Sequence, residues 1–415
     1  MSDDALPFDT ALLDKQAEAI VRTGLNVAPG QNVFLTGSAE ALPLIRRVAR
    51  EAYKAGAGIV VPLLTDEDLT RVRFEHASDE ALDTAPDWLY KGVAEAFEAN
   101  WARCHIAADN PMALADQDPA RVARAARANS KAYKPAMAKI ANFDINWSIA
   151  AYPGRAWSAQ VFPDLDGDAA QAALANAIFK ASRVDQPDPV TAWAAHNADL
   201  ARRRDWLNDQ RFSALHFRSS GTDLTVGLAD GHLWAGGAAE AKNGITCNPN
   251  IPTEEVFTTP HNMKVDGTAR ASKPLAYQGT LIEGIEVTFE GGKITRAGAD
   301  KGEEAWLNLL DTDDGARRLG EVALVPHASP ISESGVLFYN TLFDENAACH
   351  IALGNCYTEC LEGGSGLTGD ALAARGGNES LVHVDWMIGD ADTEIDGITP
   401  DGARVPVFRG GNWAD

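Results

Sequence analysis

Glu254 and Glu255 are adjacent carboxylates in residues 250–260 (NIPTEEVFTTP), a segment held between prolines and β-branched residues. Such flanks favour an extended backbone, in which successive side chains point to opposite faces. One carboxylate can then bind a cation while its neighbour reaches the same cavity from another angle. The alternative is an exposed acidic edge strand. Residues 381–388 (LVHVDWMI) alternate in the manner of a strand. His383 and Asp385 therefore share one face, and Val382, Val384 and Trp386 share the other. An imidazole beside a carboxylate can chelate a divalent cation or form a buried hydrogen-bonded pair.

Between these segments, residues 344–350 (DENAACH) bring Asp344, Glu345 and His350 close together. Asp344 can equally cap a helix, with Glu345 interacting with the helix dipole. Tyr357 follows His350 by seven residues and would share its face if the stretch were helical. Glu321 leads into the apolar run 322–325 (VALV), either as a ligand or as a solvated strand-end acid. There is no H-E-x-x-H and no G-x-S-x-G, which argues against the common zincins and against a nucleophile-elbow serine hydrolase. His327 and Ser329 are neighbours in sequence, but that proximity does not make a triad.

The elements that must position these residues fall into two styles. Residues 32–37 (NVFLTG) read as a strand, followed by an amphipathic helix through Leu44, Ile45, Val48, Ala49 and Tyr53. Residues 55–58 (AGAG) close the helix, and 59–64 (IVVPLL) read as a second, buried strand. That order is a βαβ unit and predicts a parallel sheet. Strands at 104–108 and 147–153 and a helix at 120–132 continue the rhythm. No Walker lysine and no G-x-G-x-x-G accompany it, so the scaffold carries no nucleotide signature. A break at 185–189 (DQPDP) precedes a charged helix whose Arg202, Arg203 and Arg204 form a solvated or interdomain face. From Leu215 onward the chain is β-rich, with paired strands at 215–218 and 222–228 around a Ser-Gly turn, and at 285–289 and 293–295 around a Gly pair. The expected fold is α/β, with an N-terminal α/β domain over residues 1–205, built on a mainly parallel sheet, and a β-rich C-terminal domain over residues 206–415.

The 415 residues are too many for one ordinary domain. Formal net charge is −23, which disfavours nucleic acid and anionic membrane as partners. Residues 1–16 lack the basic and apolar regions of a leader, and no apolar run is long enough to span a bilayer. The five cysteines contain no C-x-x-C pair and read as free, buried thiols of a reducing cytoplasm.

Taken together, residues 250–260, 265–268 (VDGT), 317–323 (RRLGEVA), 338–354 (FYNTLFDENAACHIALG) and 383–389 (HVDWMIG) resemble the thermophilic-aminopeptidase family of metallopeptidases, the group of aminopeptidases T and S. The match runs across most of residues 245–395; in the first half it is carried chiefly by residues 30–61, with residues 85–180 extra or divergent. The resemblance implies a metal-dependent aminopeptidase acting on peptides, a homodimer, and a metal site in the C-terminal domain. It implies Glu255, Glu321, Glu345, His350, His383 and Asp385 as ligands of two divalent ions, drawn from Zn, Co, Mn or Mg. Such an ion pair can polarise the scissile carbonyl and supply hydroxide from a bridging water. Glu254, as neighbour of Glu255, is the expected proton shuttle, and Tyr357 the expected oxyanion donor. A dipeptidase or other metallo-amidohydrolase using the same ions, and a non-catalytic α/β binding protein, are the competing readings.

Overall fold

The computed structural model describes residues 6–277 and 279–414. The first five residues, part of the stretch read as lacking a leader, lie outside that range. The chain sorts into two compact units, one of residues 1–196 with 238–252, the other of 197–237 with 253–415.

In the first unit, four strands form a wholly parallel sheet: β1 (Val33–Ser38), β2 (Val60–Thr65), β3 (Ala102–Ala107) and β4 (Trp147–Ala151), in the order β2-β1-β3-β4. The helix Leu42–Lys54 connects β1 to β2 and buries Leu44, Ile45 and Val48 against the sheet, as its 3–4 spacing requires. The strand read at 59–64 exists, but it is not buried. β2 is the edge strand, and Val61 and Leu64 are exposed. A continuous apolar run marks a strand without telling an edge from a centre, because burial depends on which neighbours the topology supplies. The arginine-bearing stretch lies in a helix spanning Pro189–Gln210.

The second unit contains an eight-stranded antiparallel sheet. Its order is Lys293–Gly298, Glu286–Glu290, Pro260–Arg270, Thr222–Leu228, Ala214–Ser219, Glu394–Ile398, Arg404–Arg409 and Asn412–Trp413. Both hairpins read from the Gly-containing turns are present in it. A second antiparallel sheet has four strands, β5 (Val256–Thr258), β6 (Leu319–Leu324), β7 (His350–Gly354) and β8 (His383–Met387), ordered β8-β7-β6-β5. One core of Phe217, Val226, Trp306, Val322, Ile351, Trp386 and their neighbours unites the unit.

All five cysteines are free and buried. No helix among the described residues is long and apolar enough to cross a membrane.

Candidate metal centre

The second sheet separates chemistry from packing by strand alternation. Val322 in β6, Ile351 and Leu353 in β7, and Trp386 in β8 belong to the apolar core. Residues of opposite parity point the other way. In register, Glu321 pairs with Ala352 and Ala352 with Asp385, so one row crosses three strands. His350 and His383 lie two residues before Ala352 and Asp385 and share that face. Glu255 lies just before β5, two residues from Phe257, which pairs with Ala323. Ala323, Ala352 and Gly354 are the small residues among these ligand candidates, leaving room for the longer side chains. Gly354 has φ +98°, and a Cβ there would collide with the Val382 carbonyl.

The polar groups converge closely. Glu255, Glu321 and His350 offer ligand atoms all within 4.8 Å of one another, as do Glu321, His383 and Asp385. Glu321 belongs to both groups. Its Oε1 lies 3.9 Å from His350 Nε2 and its Oε2 lies 3.2 Å from His383 Nε2. Glu255 Oε2 is 3.2 Å from His350 Nε2, and Asp385 Oδ1 is 3.4 Å from His383 Nε2. Each imidazole is turned by a backbone carbonyl: His350 Nδ1 donates to Ala348 at 3.2 Å and His383 Nδ1 to Asn355 at 2.7 Å. A carbonyl only accepts, so each Nδ1 carries a proton and each Nε2 faces the carboxylates, the arrangement of a metal-ligating histidine.

Burial makes this cluster costly without a cation. Glu321 is raised to about 7, first by burial and then by Asp385 and Glu255, against the opposing His383. Glu345 is raised well above the carboxylate range by burial, then by Glu255 and Asp385. His350 goes up to about 10, because Glu255, Asp385 and Glu321 outweigh the burial that opposes its charge. For His383, burial likewise opposes charge, and Asp385 and Glu321 outweigh it. Burial would raise Asp385, but His383 holds it below its ordinary value. The buried atoms Glu255 Oε2, His383 Nε2 and Asp385 Oδ1 make no hydrogen bond of good geometry among the described residues; they meet the charges of the cluster, Glu255 that of His350, and His383 those of Glu321 and Asp385. Buried polar atoms are normally satisfied, so a set of orphaned acceptors and imidazole nitrogens facing one space fits divalent cations.

Of the remaining candidates, Glu345 and Tyr357 reach this face. Glu254 and Glu255 are 4% and 8% exposed, which removes the exposed-edge alternative for the Glu pair. Glu321 is buried within β6 instead of sitting at a solvated strand end. Glu345 opens the turn after the short helix Thr341–Asp344 and, with Asp385, lines a small cavity. Asp344 does not cap the start of that helix; Asn340 does. The Asp344 carboxylate instead accepts from the Phe338 and Asn340 amides at 2.8 and 2.9 Å. The helical phase considered for Tyr357 does not apply, because His350–Gly354 is a strand. Tyr357 nonetheless reaches the centre, with its ring 4.8 Å from that of His383. Burial, then Glu321, Asp385, Glu345 and Glu255, hold its hydroxyl well above the ordinary value and keep it a donor. Ser329 caps a short helix and His327 contacts Ser332, so those two form no triad. The sequence reading missed Asn346 and the carbonyls of Ala348 and Asn355; backbone acceptors leave no mark in residue type.

The family model for thermophilic metalloproteases (M29) matches residues 9–413. Aminopeptidase T of Thermus thermophilus is 51% identical over 97% of this chain and 98% of its own length. Aminopeptidase 2 of Geobacillus stearothermophilus is 48% identical over 97% of each. These spans leave no room for a large insertion at residues 85–180, where the sequence had looked extra or divergent. Wild-type AmpT from Thermus thermophilus superposes with a TM-score of 0.93 at 49% identity, covering 98% of this chain and 99% of that one. A 2,5-dihydroxypyridine dioxygenase from Pseudomonas putida, 13% identical with a TM-score of 0.54, shares the fold alone.

Proposed function

The chain belongs to the thermophilic metalloproteases (M29) and is a metal-dependent aminopeptidase, and we propose that it works through two divalent ions held on one face of the four-stranded sheet. The observation that carries this reading is the shared position of Glu321, whose two oxygens face the two histidines of two overlapping ligand groups. Glu255 and His350 complete one group, His383 and Asp385 the other, and Glu345 joins them from its turn. A carboxylate-rich set with two imidazoles suits Zn, Co, Mn or Mg.

When bound, such ions polarise a scissile carbonyl and lower the pKa of water at the site. Glu254, next in sequence to Glu255, takes a proton from the attacking water and returns it to the leaving amine. Tyr357, kept protonated by the surrounding carboxylates, donates to the developing oxyanion. The reading also includes peptide substrates, a homodimer and a cytoplasmic setting; the net charge of −23 supports the exclusion of nucleic acid and anionic membrane.

Glu254→Gln tests the assignment of the base. Turnover of aminoacyl anilides should fall by about 10²–10⁴-fold while metal content is unchanged. Substantial residual turnover would remove Glu254 from the mechanism.

A further inference from the structure

Asn346 is fully buried between two of the residues assigned above. Its Oδ1 accepts from the Glu254 amide at 2.7 Å. Its Nδ2 donates to the Leu342 carbonyl at 3.1 Å and toward Glu345 Oε1 at 3.4 Å. An amide N–H only donates and a carbonyl only accepts, so these partners fix which end of the side-chain amide is which. Its own carbonyl accepts from Ser329 Oγ at 3.3 Å.

We infer that Asn346 is a positioning residue that sets Glu254 and Glu345 relative to each other through one planar side-chain amide. The inference rests on the roles proposed above for those two residues. Glu254 enters from the segment before β5 and Glu345 from the turn before β7, 92 residues along the chain from the Glu254 amide to Asn346. Neither segment is long enough to fix its carboxylate by regular pairing: β5 begins after Glu255, and the turn at Glu345 has three residues. Asn346 supplies a constraint common to both. Its acceptor pins the backbone of Glu254, while its donor orients a carboxylate that has a second oxygen left for a cation. Aspartate would keep the acceptor and lose the donor, and alanine would lose both.

The test is Asn346→Ala, with Ser329→Ala as a control that loosens the same turn without touching either side-chain contact. For Asn346→Ala, kcat should fall about 10–100-fold with KM within about twofold, and metal retention against a chelator should weaken about tenfold. Ser329→Ala should lower the melting temperature while preserving kcat and metal retention. Unchanged kcat per bound metal and unchanged retention in Asn346→Ala, with only a lower melting temperature, would overturn the inference. If the alanine variant does not fold, Asn346→Ser carries the same comparison. Glu254→Gln measured alongside separates the two levels: an active Glu254→Gln sinks the base assignment, whereas an inactive one beside a fully active Asn346→Ala sinks only the positioning role.

Discussion

With no cation present, protons supply the positive charge that the clustered carboxylates demand. His350 holds its proton up to about 10, His383 is raised with it, and Glu321 titrates at about 7. The signs are unambiguous for His350 and Glu321. Their folded pKa values lie above the unfolded values of 6.5 and 4.5, so the stabilisation is complete below the unfolded values and is lost as pH rises through the folded ones. Bound metal requires the deprotonated ligands, so it gains as pH rises. The gap in melting temperature between metal-loaded and metal-free protein should therefore widen from about pH 5 to about pH 10. Calorimetry over that range checks this, and a gap that narrows with pH would contradict it. At this scale the sequence was partly legible. The alternation of 381–388 placed His383 and Asp385 on one face because strand geometry has a period of two. Asn346 was invisible in DENAACH, because its value lies in contacts with Glu254 and Leu342 that no local pattern encodes.

The elements bring these residues together by presenting one polar and one apolar face. Trp386 lies in β8 between His383 and Met387, has no exposed surface, and packs edge-on against Trp306 at 5.8 Å between ring centroids. Trp386→Ala should cost about 3–5 kcal/mol in urea unfolding through the cavity it leaves. It should also weaken metal retention, since Asp385 and His383 share its strand. In the larger sheet, the buried carboxylate of Asp396 is ringed by Arg218, Arg404 and Arg409 from the two strands that flank its own. Burial alone would raise Asp396, but Arg409, then Arg218 and Arg404, hold it below its ordinary 3.8. Its stabilisation is therefore present above about pH 4 and lost as pH falls further. Asp396→Asn should cost about 1–3 kcal/mol at neutral pH, the lower side of buried pairs because the arginines remain partly solvated. An acid-unfolding midpoint unchanged in that variant would contradict the assignment. The strands themselves were readable from alternation and Gly turns. The edge position of β2 was not, because Val61 and Leu64 look the same in sequence whether a neighbour covers them or not.

For the whole molecule, composition and residue pattern point the same way up to a limit. The parallel βαβ unit and the antiparallel hairpins follow from local periods of 3.6 and 2, and both appear where those periods change. The pairing of β5, β6, β7 and β8 does not follow from any local period, since it joins segments scattered from residue 256 to residue 387. The ligand set follows from the family resemblance, and the fold brings five of its six residues into two overlapping groups that share Glu321. Most of the acidic surplus of this 415-residue chain has no part in that centre. A two-ion centre implies a definite stoichiometry. Elemental analysis of freshly purified protein, paired with aminopeptidase activity before and after chelation, tests it most directly. About two divalent ions per chain are expected, with activity that is lost on chelation and restored by metal. Metal-free protein with chelator-insensitive activity would contradict it.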